Sequence, residues 1–235
     1  MTLSVVIPSY LEEENLRVIL PRLLDVLRAS GHTAEVLVVD TPQPLDNTRA
    51  VCEALGVGYV PREGGDRYAD AVRTGIARAQ GRWILFMDGD GSHAPEFLPR
   101  MLEHMETNDL VVASRYVSGG ATENPALLIW MSRVLNVVYR WVLRIPCRDV
   151  SNSLKLYRAE RIKGLTLQCQ HFDVIEEILV KVSLQKPPPR VVEVPFVFKA
   201  RMFGVTKRDL ATFMISFAVT LGRLFWMRLR FARRS

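Results

Sequence analysis

The feature that most constrains the fold is an apolar run, residues 84–87, that leads directly into two acidic residues. The run is long enough for a buried strand. Side chains two apart in an extended chain point the same way, so Asp88 and Asp90 aim at one point beyond the strand end. Gly89 and Gly91 let backbone or ligand approach closely. Two carboxylates at the carboxyl end of a buried strand predict a site for a divalent cation and the phosphates that it neutralises.

The length and the cysteines limit the class of protein. A chain of 235 residues can build one sizeable core, and 49% hydrophobic with 24% charged residues is typical of a globular protein. The cysteines Cys52, Cys147 and Cys169 lack metal-ligand spacing, so we expect reduced thiols in a cytosolic setting. Met1 leads directly into an apolar strand, and we therefore expect no cleavable signal peptide.

The net charge of +6 comes partly from a basic end, where five arginines lie within residues 223–234. They alternate with large apolar residues, which favours anionic lipid headgroups at about 1 kcal/mol per basic residue near the surface. Nucleic acid is not expected, because its sites carry polar and stacking groups instead. A solvated basic tail is the alternative interpretation.

Buried strands alternate with amphipathic helices through the first half of the chain. We predict strands at residues 3–7, 35–39, 57–60, 84–87 and 110–113, separated by helices. Because the strands are continuously apolar, the pattern predicts an α/β fold with a mostly parallel sheet covered on both faces. Ligands should bind beyond the strand carboxyl ends, where Pro8, Asp40, Asp88 and Ser114 fall.

The last third of the chain predicts helices that associate with a membrane surface. Residues 126–145 are apolar but carry Arg133, Arg140 and Arg144 on one helical stripe, which favours an amphipathic helix over a bilayer span. Residues 210–227 are interpreted as an interfacial or oligomer-forming helix. We therefore expect one domain at 1–208 and an appended apolar, basic helix at 209–235, with a homo-oligomer as one possible outcome.

Five ordered motifs carry a family resemblance over residues 3–208. They are Pro8-Ser-Tyr10-Leu-Glu12, Asp88-Gly-Asp90-Gly-Ser-His93-Ala-Pro95, Ala113-Ser114-Arg115-Tyr116, Asp149-Val-Ser151-Asn-Ser153-Leu-Lys155-Leu-Tyr157-Arg158 and Val194-Pro195-Phe-Val-Phe198-Lys-Ala-Arg201-Met-Phe-Gly204-Val-Thr206-Lys207. In this order and spacing the chain resembles the inverting glycosyltransferases of the GT-A (Rossmann-like) fold, and within them the polyprenyl-phosphate (dolichol-phosphate) mannose synthases.

Several positions depart from that family's pattern. Thr41 stands where a second Asp normally follows Asp40, and Ser92 stands where the synthases often carry a Gln near the metal. Ser153-Leu154 replaces Gly-Phe, and Arg67-Tyr68-Ala69 replaces a Gly-rich turn. The changes at Thr41 and in the turn leave the donor nucleotide open, whereas the others bear on metal binding and on the acceptor.

The resemblance implies a nucleotide-diphosphate sugar bound under the first strands. The residues that it implies for this donor are Pro8, Tyr10, Glu12, Asp40, Arg62, Asp88, Gly89 and Asp90. Asp88 and Asp90 would hold Mg²⁺ or Mn²⁺, which assists departure of the nucleoside diphosphate. His93 is either a third ligand or a helix-start or phosphate contact.

The implied acceptor is a polyprenyl monophosphate, which is largely a dianion at pH 7 and needs no strong general base. Arg115, Arg201 and Lys207 would gather its charge, and together with Asp90 they form the predicted catalytic set. Ser114, Asp149 and Glu177 would orient the sugar or the cations.

The function implied by the resemblance is metal-dependent transfer of a hexose to this lipid phosphate, with inversion, at the cytoplasmic face of a membrane. Mannose from GDP-mannose is favoured. Three alternatives stay open: a UDP-hexose donor such as UDP-glucose, a non-lipid acceptor, and a non-catalytic sugar-nucleotide-binding membrane scaffold.

Overall fold

The structure is a computed structural model that describes residues 1–203 and 210–232. Its strands are β1 (Leu3–Pro8), β2 (Ala34–Asp40), β3 (Gly58–Pro61), β4 (Trp83–Phe86), β5 (Leu110–Ser114), β6 (Ala121–Thr122), β7 (Lys155–Arg158), β8 (Val191–Pro195) and β9 (Val197–Phe198). Its helices are α1 (Glu13–Ala29), α2 (Thr48–Leu55), α3 (Tyr68–Arg78), α4 (Leu98–Leu102), α5 (Ala126–Leu143), α6 (Ala159–Ile162), α7 (Val174–Ser183) and α8 (Leu210–Ala232).

The central sheet has seven strands in the order β3-β2-β1-β4-β7-β5-β8. Its neighbouring strands are parallel, except that β7 runs antiparallel to both β4 and β5. The predicted α/β fold with a mostly parallel sheet is therefore confirmed. The loop at residues 149–153 lies at the carboxyl edge of the sheet, and β7 leaves this loop and runs back across the sheet.

Both faces of the sheet are covered, which explains why its strands are continuously apolar. Along β1, Val5 and Ile7 face the core formed with α1, α2 and α4, whereas Val6 faces the core formed with α3, α5 and α7. Each apolar face is thus removed from water by helices on that side. The cysteines are free and buried, in keeping with the expected reduced thiols.

Helix α8 packs against α5 and α7. The Tyr139 hydroxyl donates to the Phe217 carbonyl at 3.1 Å, and Arg228 Nη1 donates to the Leu143 carbonyl at 2.6 Å. Leu224 is buried in the same core as α7. Helix α8 therefore contacts the sheet domain at positions from Phe217 to Arg228, and the domain boundary near residue 208 stays a prediction.

Helix α5 buries one face and exposes an apolar one. Tyr139 and Leu143 are buried, whereas Trp130 and Trp141 are 64% and 79% exposed. Within the described part of the chain, α5 is long and apolar enough to cross a bilayer by length and composition. The predicted membrane-surface role of α5 and α8 stays a prediction.

Candidate functional site

The acid pair lies at the carboxyl edge of the sheet. The Met87 N–H still donates to the Val6 carbonyl at 3.1 Å, and the chain then leaves the sheet. The Asp88 side chain is 30% exposed to solvent and the Asp90 side chain is 18% exposed. Both carboxylates therefore stand at the protein surface above the buried strand, where the sequence places them.

Each carboxylate is held by a serine. Ser153 Oγ donates to Asp88 Oδ2 at 2.8 Å. Ser92 donates twice to Asp90 Oδ1, from its hydroxyl at 2.6 Å and from its backbone N–H at 3.0 Å. Burial raises the pKa of Asp90, but these hydrogen bonds and the nearby charges outweigh it and hold that pKa below its usual range. Asp90 is therefore an anion at neutral pH.

Arg201 bridges Asp90 to Glu12. Its Nη2 lies 3.2 Å from Asp90 Oδ2, and its Nη1 donates to Glu12 Oε1 at 3.1 Å. Burial raises the pKa of Glu12, against the lowering effect of the Arg201 charge. A guanidinium thus neutralises two acids at the point where the sequence predicts a cation.

The segment that carries Arg201 lies across the loop after the acid pair. The Lys199 N–H donates to the Ser92 carbonyl at 3.2 Å, and the Met202 N–H donates to the Asp90 carbonyl at 3.0 Å. Gly91 has φ +84°, and a Cβ there would collide with the Met202 side chain. Gly91 therefore allows the Met202 side chain to pack closely against the loop that follows the acid pair.

The donor set fits a hard divalent cation. Two carboxylates at a solvent-accessible edge are suitable ligands for Mg²⁺ or Mn²⁺, which complete their coordination with waters and phosphate oxygens. No cluster of three or more His, Cys, Asp and Glu side chains forms a further metal site within residues 1–203 and 210–232. The protein would thus supply part of the coordination, with a diphosphate supplying more.

His93 is buried, and its ring nitrogens contact protein groups. Its Nδ1 accepts the Asp88 backbone N–H at 2.9 Å, and its Nε2 lies 3.1 Å from Asn152 Oδ1. Asn152 Nδ2 in turn donates to the Ala113 carbonyl at 2.7 Å. Both ring nitrogens are therefore occupied in linking the end of β4 to the end of β5.

Strand ends β1, β2 and β3 form the predicted nucleotide side. Arg62 is buried, and it donates from Nε to the Asp40 carbonyl at 3.0 Å and from Nη2 to the Ser9 carbonyl. Burial lowers the pKa of Arg62 and raises that of Asp40, whose carboxylate accepts from the Tyr59 hydroxyl at 3.2 Å. Arg62 therefore joins the carboxyl ends of β1 and β2.

The other predicted donor residues differ in exposure. Pro8 ends β1, Tyr10 is exposed, and Glu12 lies within reach of Arg201. Gly89 is buried against Ile7 and Leu16, so its lack of a side chain serves the packing of the core.

Arg115 and Asp149 form a buried ion pair at the end of β5. Arg115 donates to the Asp149 carboxylate from its backbone N–H, Nε and Nη2, each at 2.8 Å. The Asp149 side chain is 0% exposed and that of Arg115 is 8% exposed. Burial opposes both charges, yet their mutual attraction lowers the pKa of Asp149 and raises that of Arg115. Ser114, also buried, precedes this pair.

A basic cavity of 390 Å³ lies beside this pair, between β5 and α5. Arg115 and Tyr116 form one wall. The exposed side chains of Arg133, Arg140 and Arg148 also line it. The Arg115 guanidinium stacks over Phe198 at 5.5 Å, and Phe198 lies edge-on to His93 at 5.6 Å, so ring contacts connect one wall of the cavity to the histidine that supports Asp88.

One predicted residue lies away from this site, and another falls outside the residues that the structure describes. Glu177 lies on α7, where its carboxylate accepts the Gln168 and Cys169 N–H groups and pairs with Lys181 at 2.8 Å. Lys207 lies outside the described residues. The role predicted for each of them stays a prediction.

Three side chains of the site were not predicted as site residues: Ser92, Asn152 and Ser153. The sequence marks Ser92 and Ser153 as departures from the family pattern, but it does not show what they contact. Arg133 and Arg140 were detected as a helical stripe, and Arg148 carried no signal.

Comparison with known proteins finds relatives over most of the chain. Residues 4–165 match the model of glycosyl transferase family 2. Dolichol-phosphate mannosyltransferase from Pyrococcus furiosus is 33% identical over 88% of this chain, which spans 59% of that relative's length. Undecaprenyl-phosphate mannosyltransferase from Micrococcus luteus is 32% identical over 88% of this chain and 87% of its own.

A solved structure shows the same fold. Glucosyl-3-phosphoglycerate synthase from Mycobacterium tuberculosis, in complex with Mn²⁺, UDP and phosphoglyceric acid, superposes with a TM-score of 0.74. It is 18% identical, and the match covers 95% of this chain and 78% of that one. The likeness confirms the GT-A-type sheet and its flanking helices.

Proposed function

The chain belongs to glycosyl transferase family 2, and from this premise we propose that it transfers a hexose, with mannose favoured, from a nucleotide-diphosphate sugar to a polyprenyl monophosphate. The observation that carries the proposal is a partly exposed acid pair that lies at the same edge of the sheet as a basic cavity. The names of the mannosyltransferase relatives support the same substrate classes.

The donor half of the reaction uses Asp88 and Asp90 as ligands for Mg²⁺ or Mn²⁺. When bound, the cation neutralises the diphosphate and assists departure of the nucleoside diphosphate. Ser92 keeps Asp90 ionised and oriented, and His93 fixes the backbone of Asp88. Asp40 and Arg62 hold the strand ends under the nucleotide.

The acceptor half uses fixed positive charge. Arg133, Arg140 and Arg148 line the cavity with exposed guanidinium groups, which suit phosphate oxygens. The Arg115 guanidinium is already bound to Asp149, so Arg115 forms part of the cavity wall and adds positive charge to the cavity. Arg201, beside Asp90, contributes a cation between the donor and acceptor sides.

The transfer is a single in-line displacement. A phosphate oxygen of the acceptor bonds to the anomeric carbon as the bond from that carbon to the diphosphate oxygen breaks. The bonding pair leaves with the nucleoside diphosphate, and the configuration at the anomeric carbon inverts. An acceptor that is already a dianion needs alignment and charge stabilisation more than deprotonation.

The acceptor lipid places the reaction at a membrane surface, for which we propose the cytoplasmic face. The exposed tryptophans Trp130 and Trp141 of α5 and Trp226 of α8 suit the interfacial region, and the neighbouring arginines suit anionic headgroups. A homo-oligomer formed through α8 is the alternative use of that apolar surface.

A donor panel tests the proposal. Each GDP- and UDP-sugar is incubated with a short-chain polyprenyl phosphate and Mn²⁺ or Mg²⁺, and lipid-linked products are separated and analysed. We expect a β-linked lipid-phosphate sugar from one donor, with GDP-mannose favoured. A product from a UDP-hexose would reassign the donor, and no product from any donor would reject the enzymatic proposal.

A further inference from the structure

We propose that Ser153 and Ser92 are positioning residues of the acid pair and that they act with unequal strength, Ser153 being the more important. The inference rests on the proposed function, because it concerns how the pair presents its oxygens to a cation and a diphosphate. Both serines stand where the sequence departs from the family's pattern.

The register of the sheet brings Ser153 to Asp88. In the antiparallel ladder of β4 and β7, Phe86 lies opposite Lys155. This is the last pair of the ladder, and Asp88 and Ser153 each lie two residues beyond it. The 2.8 Å bond from Ser153 Oγ to Asp88 Oδ2 therefore joins the two chains just past the end of their strand pairing.

The backbone around Ser153 is fixed from both sides. Lys155 is buried, and its Nζ donates to the Val150 carbonyl at 3.0 Å and to the Asn152 carbonyl. Asn152 is itself tied to Ala113 and His93 through its amide. With its backbone fixed in this way, Ser153 holds Asp88 Oδ2 in place. In the part of the chain that the structure describes, no hydrogen bond is made to the other oxygen, Oδ1, which can therefore receive a ligand.

The two acids differ in how many donors hold them. Among the residues that the structure describes, Ser153 is the donor within hydrogen-bond distance of Asp88 Oδ2, since His93 Nε2 is 3.9 Å away. Asp90 Oδ1 has two donors, and one of them is a backbone N–H that mutation of Ser92 does not remove. Loss of the Ser153 hydroxyl should therefore disturb its acid more than loss of the Ser92 hydroxyl.

Calorimetric titration of the whole chain with Mn²⁺·GDP and with Mn²⁺·UDP tests the inference. Residues that orient metal ligands typically contribute about 10- to 100-fold in affinity, so we expect Ser153→Ala to weaken binding about tenfold or more. Ser92→Ala should weaken it by no more than about threefold, because the backbone bond to Asp90 remains. Ser153→Thr keeps the hydroxyl and should restore affinity.

The matched control is Ser4→Ala, since Ser4 Oγ also donates to a carboxylate, Glu35, at 2.5 Å. Ser4 lies at the start of β1, on the opposite edge of the sheet, and its loss should lower stability without changing affinity. Ser153→Gly serves as a second variant if Ser153→Ala fails to fold.

Three outcomes separate the inference from the function. Wild-type protein that binds neither nucleotide complex rejects the proposed function. Wild-type binding with unchanged affinity in Ser153→Ala and Ser153→Gly, or with Ser92→Ala weakened as much as Ser153→Ala, overturns the inference alone. Weakened binding in Ser153→Ala that Ser153→Thr restores, with Ser4→Ala unchanged, supports it.

Discussion

Two carboxylate-guanidinium pairs stand at the same edge of the sheet, and they differ in almost every physical respect. Asp149 and Arg115 are buried, joined by three hydrogen bonds, and supported by Ser151, whose hydroxyl accepts from Arg115 at 2.9 Å. Asp90 and Arg201 are partly exposed and meet through one contact of 3.2 Å. The first pair has little capacity left for a ligand, whereas the second can exchange partners.

This difference in burial indicates a structural role for one pair and a ligand-binding role for the other. A buried pair must be fully satisfied, since either charge alone in the interior is costly. A partly exposed pair gains little stability and so can be displaced at low cost by a cation or a phosphate. The Asp90 side of the molecule is therefore where we place ligand exchange, and the Asp149 side is where we place rigidity.

Replacing Asp90 should give the largest effect. Asp90→Asn removes a ligand charge but keeps the shape, so we expect transfer activity to fall about 100- to 1,000-fold. The rate of lipid-linked product formation measures it. Asp25→Asn, in an exposed pair with Arg28, is the control and should keep full activity. Unchanged activity in Asp90→Asn, with transfer by the wild type, would place the chemistry elsewhere.

Replacing Asp149 should mainly reduce stability. Asp149→Asn leaves Arg115 buried without a counter-charge, and we expect a loss of about 3 kcal/mol in the free energy of unfolding. Asp90→Asn should cost only about 1 kcal/mol or less, because its pair is partly exposed. Urea denaturation of both variants measures the contrast. Equal losses would show that the two pairs do not differ in the way described.

Replacing Arg201 should affect the acceptor more than the fold. Arg201→Gln removes a partly exposed cation, so we expect a change in stability below about 1 kcal/mol. Since each lost charge-assisted contact to phosphate is worth about 1.5 kcal/mol, KM for the polyprenyl phosphate should rise about tenfold. Steady-state kinetics against Arg28→Gln, an exposed control, measures this. An unchanged KM for the polyprenyl phosphate would show that Arg201 does not bind the acceptor.

The smallest effect should appear in how the stability contributed by the Arg115–Asp149 pair depends on pH. The Arg115 charge holds the pKa of Asp149 below its ordinary value of 3.8, so its contribution to stability is fully present above that value and declines as the pH falls through the lowered pKa. The stability difference between wild type and Asp149→Asn should stay constant from neutral pH down to that range and then narrow. If the stability difference between the two proteins already narrows at a pH well above 3.8, the pKa of Asp149 is not lowered, which contradicts this prediction.

Local sequence patterns predicted much of the fold. Continuous apolar strands that alternate with helices specify a covered parallel sheet, and the run before Asp88 located the site at its carboxyl edge. The antiparallel course of β7 was not predicted, because strand direction within a sheet depends on long-range pairing.

The partners of the site residues were harder to infer than their positions. Arg115 was predicted to bind phosphate, yet the structure shows its fork occupied by Asp149, 34 residues away in the chain. Ser153 was recognised as unusual, but its contact with Asp88 depends on the register of β4 and β7. Sequence shows which groups can do chemistry, and packing decides which of them remain free to do it.

The central claim is that the acid pair holds a divalent cation on a nucleoside diphosphate. An anomalous difference map from crystals grown with Mn²⁺ and GDP or UDP tests it most directly. We predict a peak within about 2.3 Å of an Asp90 carboxylate oxygen, near Asp88, with Arg201 displaced from Asp90. Bound nucleotide with no peak at the acid pair, and Arg201 still bridging Asp90 and Glu12, would contradict the account.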